Sequence, residues 1–278
     1  MQRIYLDGRL FPADQPLFTG ANRAFRYGDG LFESIRMFEG KLPFLSWHFE
    51  RLQRGMQILQ LEHLGLTEQY LEDAIRLLIP QADNARIRVQ VFRKGGGLYT
   101  PQSKQASLYI EYSGLEQARF NVEQAGIQVQ FYPLPFLPPF ALKTANALPY
   151  ILAAQERERR QQDDLLLLNP GAELIEACAS NVLVQLDGQL ITSPYGLSGT
   201  MQAFLQHEIP LQLGIPVLER PLKKEAVLQA EALLLTNAIQ GPRWIRQVDS
   251  TTFGQGCFKE VVHLLNQHLA HGAPEEPL

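Results

Sequence analysis

Lys143 is the residue whose surroundings most invite chemistry. Pro139-Phe140-Ala141-Leu142 precede it and Thr144-Ala145 follow. A lysine in apolar surroundings has a depressed pKa and becomes a nucleophilic amine, the form that Schiff-base chemistry requires. The other six lysines, Lys41, Lys94, Lys104, Lys223, Lys224 and Lys259, stand beside turns, polar residues or amphipathic faces. The plainer alternative for Lys143 is a side chain that snorkels at a domain edge. Glu176 lies in the apolar run Leu174-Ile175-Glu176-Ala177-Cys178-Ala179. A carboxylate there wants a cationic partner, and a protonated ring nitrogen would be one; a Glu on the exposed face of a short strand is the alternative.

Two further groups suit an anion. Ser198-Gly199-Thr200-Met201 precedes a helix, and a helix N-terminus offers backbone N–H groups and a favourable dipole to a phosphate, although many such sequences only cap the helix. His48 and Arg51 are three apart on an expected helix and share a face; Arg binds phosphate in bidentate fashion, and a solvated face is the alternative. An amine nucleophile, a carboxylate for a ring nitrogen and two phosphate-binding candidates together make the parts of a pyridoxal-phosphate site. His263, His268 and His271 lack a compact metal spacing, so no metal is expected. Tyr27-Gly28-Asp29-Gly30 reads as a turn entering a strand rather than a dinucleotide motif.

Several elements must position these residues. Residues 3–6 alternate and meet Asp7-Gly8, and residues 31–38 and 41–45 flank Glu39-Gly40, giving two expected hairpins. Helices are expected from about Ser46, with Phe49, Leu52, Met56 and Leu59 inward, and from Thr67 to Leu78. Residues 86–92 and 107–112 read as strands joined through Gly95-Gly96-Gly97. Residues 131–140 hold four prolines, which excludes central strand or helix and suggests an extended crossover between domains. Beyond it come a helix over 147–161, a strand over 164–168, a hairpin of 181–186 and 189–192 across Asp187-Gly188, and a helix from Thr200. A buried strand over 232–236 and a helix over 256–269 complete the pattern. Strands and helices mix without strict alternation, so the fold class is α+β, with domains over 1–118 and 119–278, the second carrying Lys143.

Composition narrows the function classes. The 25 Lys+Arg and 29 Asp+Glu nearly cancel, so no basic face for nucleic acid is implied. Two cysteines, Cys178 and Cys257, make no disulfide framework and suit a reducing compartment. Residues 1–8 lack a signal peptide's apolar run, and no stretch approaches the roughly 18 apolar residues of a membrane helix. A cytoplasmic enzyme with no membrane partner is the expectation.

The motifs resemble those of the class IV aminotransferases, the fold-type IV pyridoxal-phosphate enzymes. They are Arg26-Tyr27-Gly28-Asp29-Gly30-Leu31-Phe32-Glu33-Ser34-Ile35-Arg36, His48-Phe49-Glu50-Arg51-Leu52, Leu142-Lys143-Thr144-Ala145-Asn146, Glu176-Ala177-Cys178-Ala179-Ser180-Asn181-Val182 and Gly199-Thr200-Met201, in the family's order and spacing over nearly the whole chain. The resemblance implies two α+β domains with the cofactor between them, pyridoxal 5′-phosphate on Lys143 as the Schiff-base lysine, and Glu176 at the pyridine nitrogen. It implies the 5′-phosphate on Arg51, on the backbone of Gly199, Thr200 and Met201 and on Thr236, with Asn181 also at the cofactor. Phe32, Arg88, Tyr99, Asn146 and Asn237 would contact an amino-acid-like substrate, and a homodimer is implied.

Departures choose among subgroups. D-amino-acid aminotransferases carry an Arg-x-His trap where Gly96-Gly97-Leu98-Tyr99-Thr100 stands here. Branched-chain aminotransferases carry a Tyr where Leu148 stands, and lack the Asn that Asn146 supplies. The runs Arg93-Lys94-Gly95-Gly96-Gly97-Leu98-Tyr99 and Glu176 to Asn181 look most like aminodeoxychorismate lyases, which release pyruvate to form 4-aminobenzoate for folate. A branched-chain or other small amino-acid aminotransferase is the alternative, and a non-catalytic binding protein on the same fold a third reading.

Overall fold

In the computed structural model, residues 2–80, 84–116, 119–135 and 142–271 are described. Backbone contacts divide them into two compact units. The first holds the residues up to 116 together with Lys143–Asn146, and the second holds the remainder. The lysine-bearing segment, expected to go with the C-terminal part, thus packs with the first unit.

The first unit runs β1 (Arg3–Leu6), β2 (Arg9–Pro12), α1 (Arg23–Tyr27), β3 (Gly30–Met37), α2 (Leu45–Ile58), α3 (Glu68–Leu78), β4 (Ala85–Arg93) and β5 (Ala106–Gly114). Its strands form an antiparallel sheet in the order β2-β1-β5-β4-β3. Alternation sorts the side chains: Leu31 and Ile35 of β3, Ile87, Val89 and Val91 of β4, and Leu108 and Ile110 of β5 are buried. Helices α2 and α3 contribute Phe49, Leu52, Met56, Leu71, Ile75 and Leu78 to the buried core. Thr67 starts α3 as expected, its Oγ1 accepting from Tyr70 N at 3.1 Å. The hairpin expected at Glu39-Gly40 is only a bridge between Phe38 and Lys41. Pro43 has no N–H to continue a ladder, and the chain enters α2 at Leu45.

The second unit runs β6 (Ile127–Pro133), α4 (Leu148–Arg159), β7 (Asp164–Leu168), β8 (Leu174–Ala177), β9 (Asn181–Leu186), β10 (Gln189–Thr192), α5 (Thr200–Leu213), β11 (Val217–Glu219), α6 (Lys224–Leu228), β12 (Ala232–Asn237), β13 (Gly241–Val248), β14 (Thr251–Thr252) and α7 (Phe258–His271). Among the described residues the strands make one mixed sheet, β11-β10-β9-β12-β13-β6-β7-β8, with β14 on β13. Asp187 and Gly188 turn β9 into β10 with φ of 51° and 70°, the left-handed pair that a two-residue hairpin needs. All five residues of β7 are buried because both its faces are covered. Leu166 and Leu168 enter one apolar cluster with Val182, Val184, Leu233 and Ile245, while Leu165 and Leu167 enter another with Ala153 and Ile175.

The proline-rich run departs from expectation at its start. Phe131, Tyr132 and Pro133 finish β6, a strand that lies between β13 and β7. The β13 pairing reaches only Val129, so Pro133 faces a single neighbour, Leu168 of β7, and its missing N–H breaks no ladder on the open side. Residues 136–140 of the expected crossover lie outside the described residues. Among the described residues no helix is long and apolar enough to cross a membrane.

Candidate active site

In the first unit the segment around Lys143 lies along β3 as a short antiparallel strand. Phe32 N donates to Lys143 O and Ala145 N to Gly30 O, both at 2.9 Å, and Leu31 bridges Thr144. Lys143 is therefore opposite Phe32, and residues paired in this way share a face. Its Nζ lies 4.6 Å from the centre of the Phe32 ring, and the Arg88 guanidinium lies 4.1 Å from the same ring. Both distances lie within the range over which a ring's π system attracts a cation. Arg88 arrives there because it pairs with Ser34 across β3 and β4. Its neighbour on β5 is Glu111, 3.9 Å away, which also accepts from Tyr109 Oη at 2.8 Å.

His48 and Arg51 do not lie on a solvated face. Both reach Glu33, which shares the parity of Leu31 and Ile35 and is buried. Arg51 Nε donates to Glu33 Oε1 at 2.8 Å and Arg51 Nη2 to Oε2. His48 Nδ1 lies 2.7 Å from the same Oε2. A carboxylate oxygen only accepts, so Nδ1 carries the hydrogen. Burial alone would raise the Glu33 carboxyl, but the Arg51 charge and the bonds from His48 and Arg51 reverse that and hold it at about 2. Burial lowers His48, against the pull of Glu33. Glu33 was legible only as a charge between two core positions of a strand.

The remaining first-unit candidates stand apart from this row. Tyr99 is 91% exposed, its ring 5.8 Å from that of Tyr27. Its loop is fixed by Arg23, whose Nη1 donates to the carbonyls of Gly96, Gly97 and Leu98 at 3.3, 3.1 and 2.6 Å. Asp29 anchors Arg23 at 2.7 Å and Arg93 at 3.0 Å. Asn146 ends the lysine segment, its carbonyl accepting from Thr144 Oγ1 at 3.4 Å.

In the second unit Glu176 is buried, which removes the exposed-strand alternative. Tyr150 Oη donates to its Oε1 at 2.5 Å and Leu197 N to its Oε2 at 3.2 Å. Tyr150 is 26 residues from Glu176 and carries no motif, so nothing local in the sequence points to it. Asn181 Nδ2 donates to Leu197 O at 2.6 Å and so steadies the approach to α5. Gly199 precedes that helix, and a Cβ there would collide with Asn181 Oδ1. No side chain caps α5 at Gly199; its ladder opens with Ala203 N to Gly199 O at 2.8 Å, so the N–H groups of residues 200–202 precede it. Asn181 pairs with Thr236 across β9 and β12, and Thr236 Oγ1 is buried with no hydrogen-bond partner.

An orphaned buried hydroxyl, a glycine with no room for a side chain and a helix N-terminus gather at one place. They fit a phosphate, and a buried carboxylate with two donors suits a ring nitrogen. The residues present therefore fit pyridoxal phosphate. Asn237, expected at the substrate, is held by a network of its own. Its Nδ2 donates to Ala179 O, Ser180 Oγ and Gln240 Oε1, while its Oδ1 accepts from Ile239 N and Gln240 N. The amide is engaged in forming the β12–β13 turn. Cys178, beside Glu176 in sequence, is no nucleophile, since burial pushes its thiol up to about 12. Among the described residues no group of three or more His, Cys, Asp or Glu is placed to hold a metal ion.

Residues 30–248 match the amino-transferase class IV family, and the chain belongs to that family, whose members use pyridoxal phosphate. The D-alanine aminotransferase of Staphylococcus haemolyticus is 23% identical over 276 residues, 96% of each protein. The branched-chain aminotransferase of Thermoproteus uzoniensis, solved with norvaline, superposes with a TM-score of 0.86 at 23% identity, covering 97% of this chain and 95% of that one. The 4-amino-4-deoxychorismate lyase of Pseudomonas aeruginosa superposes with a TM-score of 0.78 at 25% identity, over 94% and 97%.

Proposed function

We propose that this chain is a pyridoxal-phosphate lyase that converts 4-amino-4-deoxychorismate into 4-aminobenzoate and pyruvate, a step that feeds folate synthesis. The carrying observation is the row Lys143–Phe32–Arg88, which sets an amine and a guanidinium on one face of one sheet. That spacing suits a substrate bearing a reactive amino-bearing carbon and a carboxylate. The choice of lyase is supported by Asn146 and Leu148 after the lysine, by the absence of an Arg-x-His trap in residues 96–100, and by the likeness to the Pseudomonas enzyme.

In this reading Lys143 binds the cofactor and its Nζ takes and returns the substrate proton. Arg88 holds a substrate carboxylate. Thr236, the first turn of α5 and Arg51 hold the phosphate, with Glu33 and His48 fixing the direction of Arg51. Glu176 keeps a proton on the ring nitrogen. Pyridoxal phosphate, when bound, supplies the electron sink that lets bonds at the substrate's reacting carbon break.

The test is a pair of parallel assays on the purified protein: 4-aminobenzoate and pyruvate release from aminodeoxychorismate, and 2-oxo-acid formation from leucine with 2-oxoglutarate. Faster turnover in the second assay would make the chain an aminotransferase, which uses the same lysine and the same ring carboxylate. Borohydride should fix the cofactor to Lys143, and Lys143→Ala should abolish both the link and turnover. Cofactor attached to another lysine would end this assignment.

A further inference from the structure

We infer that Tyr150 is a positioning residue for Glu176, fixing the orientation and the hydrogen-bonding of the carboxylate that serves the cofactor's ring nitrogen. The inference rests on the role proposed above for Glu176. Tyr150 lies in the first turn of α4, and its ring packs against the cluster of Leu134, Ala153, Leu165, Leu167, Ile175 and Cys178. Its hydroxyl leaves that apolar packing to reach Glu176 Oε1 at 2.5 Å. Leu197 N, at the approach to α5, reaches Oε2 at 3.2 Å.

One donor on each oxygen fixes the carboxylate plane, which a single donor would leave free to turn. The ring of Tyr150 is anchored, so the hydroxyl is a fixed donor rather than one that follows the carboxylate. Burial, and then the Glu176 charge, raise the phenol far above its ordinary value, so it remains a donor at any working pH. A phenylalanine would fill the same cluster. The oxygen adds nothing to that packing, and its contribution is to Glu176 alone.

A hydrogen bond to a carboxylate oxygen lowers that carboxylate's basicity. Removing it makes Glu176 the better base, and a proton shared between the carboxylate and a ring nitrogen moves toward the carboxylate. Loss of one such bond corresponds to roughly a tenfold change in the proton's distribution.

The experiment compares Tyr150→Phe, Glu176→Gln and the parent, each loaded with pyridoxal phosphate labelled with 15N in the ring. In Tyr150→Phe the ring 15N resonance should move toward the unprotonated position. Its kcat should fall by on the order of tenfold with KM unchanged, while thermal unfolding of the cofactor-free protein stays close to the parent's. If Glu176→Gln moves the resonance and Tyr150→Phe does not, the role of Tyr150 is overturned and that of Glu176 stands. If neither moves it, Glu176 is not the ring's partner and both assignments fall.

Discussion

Two buried carboxylates, one in each unit, are satisfied in different ways. Glu33 in β3 is met by the Arg51 guanidinium through two bonds and by the His48 ring. Glu176 in β8 takes a phenol and a backbone N–H, donors that bring no charge. Both are nearly inaccessible to solvent, at 1% and 5%. The Glu33 charge is therefore answered within its own unit and does structural work, aiming Arg51. At Glu176 the phenol and the backbone N–H hold one carboxylate oxygen each, and the proposed function gives that carboxylate to the cofactor's ring nitrogen. Burial alone does not separate a structural carboxylate from the one proposed to serve the cofactor, so the two must be told apart by substitution.

That contrast is open to direct attack. Glu176→Gln keeps shape and volume, so the largest effect expected anywhere in the pair is on turnover. kcat should fall by on the order of a hundredfold or more with cofactor still bound, as when a transition-state interaction is lost. A rate within about twofold of the parent at saturating cofactor would take Glu176 out of the site. Glu33→Gln should do the reverse and act first on folding. Removing one partner of a buried ion pair typically costs about 3–5 kcal/mol, and urea titration should show it. An unchanged midpoint would mean that the cluster carries no structural charge.

The pH dependence of stability sharpens the same point. The Glu33 carboxyl sits at about 2 in the folded protein against an ordinary 4.5. A depressed carboxyl contributes stability that is complete above the unfolded value and is lost as pH falls through the folded one. About 3 kcal/mol should therefore disappear between roughly pH 5 and pH 2, and Glu33→Gln should flatten that limb. Denaturant midpoints at pH 6 and pH 3 for parent and variant would check it.

Smaller effects on binding are expected at the residues proposed for the phosphate. Arg51→Ala removes a charge-assisted donor and leaves buried Glu33 without its guanidinium, so cofactor affinity should fall roughly ten- to a hundredfold and the urea midpoint should fall as well. Thr236→Val keeps the β-branched shape and removes a buried hydroxyl that has no partner within the protein. Affinity should fall by up to about tenfold, with unfolding of the cofactor-free protein unchanged or slightly strengthened. Equilibrium dialysis with pyridoxal phosphate measures both. An unaltered Thr236→Val would leave the orphaned hydroxyl without a ligand.

Much of this was legible in the chain of residues. Local pattern carries strand and helix identity because the side-chain periods of 2 and 3.6 are local. The strands expected over 86–92, 107–112 and 164–168, the helix starting at Thr67 and the Asp187-Gly188 hairpin follow from it, and the first two strands extend to 85–93 and 106–114. The apolar runs around Lys143 and Glu176 also came from neighbours in sequence, but only the structure decided that Glu176 is buried rather than on an exposed strand face. Proline reading failed at Pro133 because a missing N–H matters only where a neighbouring strand needs it, and sheet order is not local. The Asn237 amide closes a turn whose partners, Ala179 and Ser180, come from far away in the chain, a tie that no local pattern shows.

The sequence by itself determined the kinds of groups available: one lysine in apolar surroundings, one glutamate in an apolar strand, a glycine before a helix. Tertiary structure decided what each group faces. Pairing along β3 set Lys143 beside Phe32 and Arg88, and gave the lysine segment to the first unit rather than the second. Packing of α2 on β3 turned Arg51 and His48 toward Glu33, and the first turn of α4 brought Tyr150 to Glu176. The reason is one of range. Propensity and periodicity act over a few residues, whereas the charge state and aim of a buried group depend on partners brought within hydrogen-bond distance by the whole sheet.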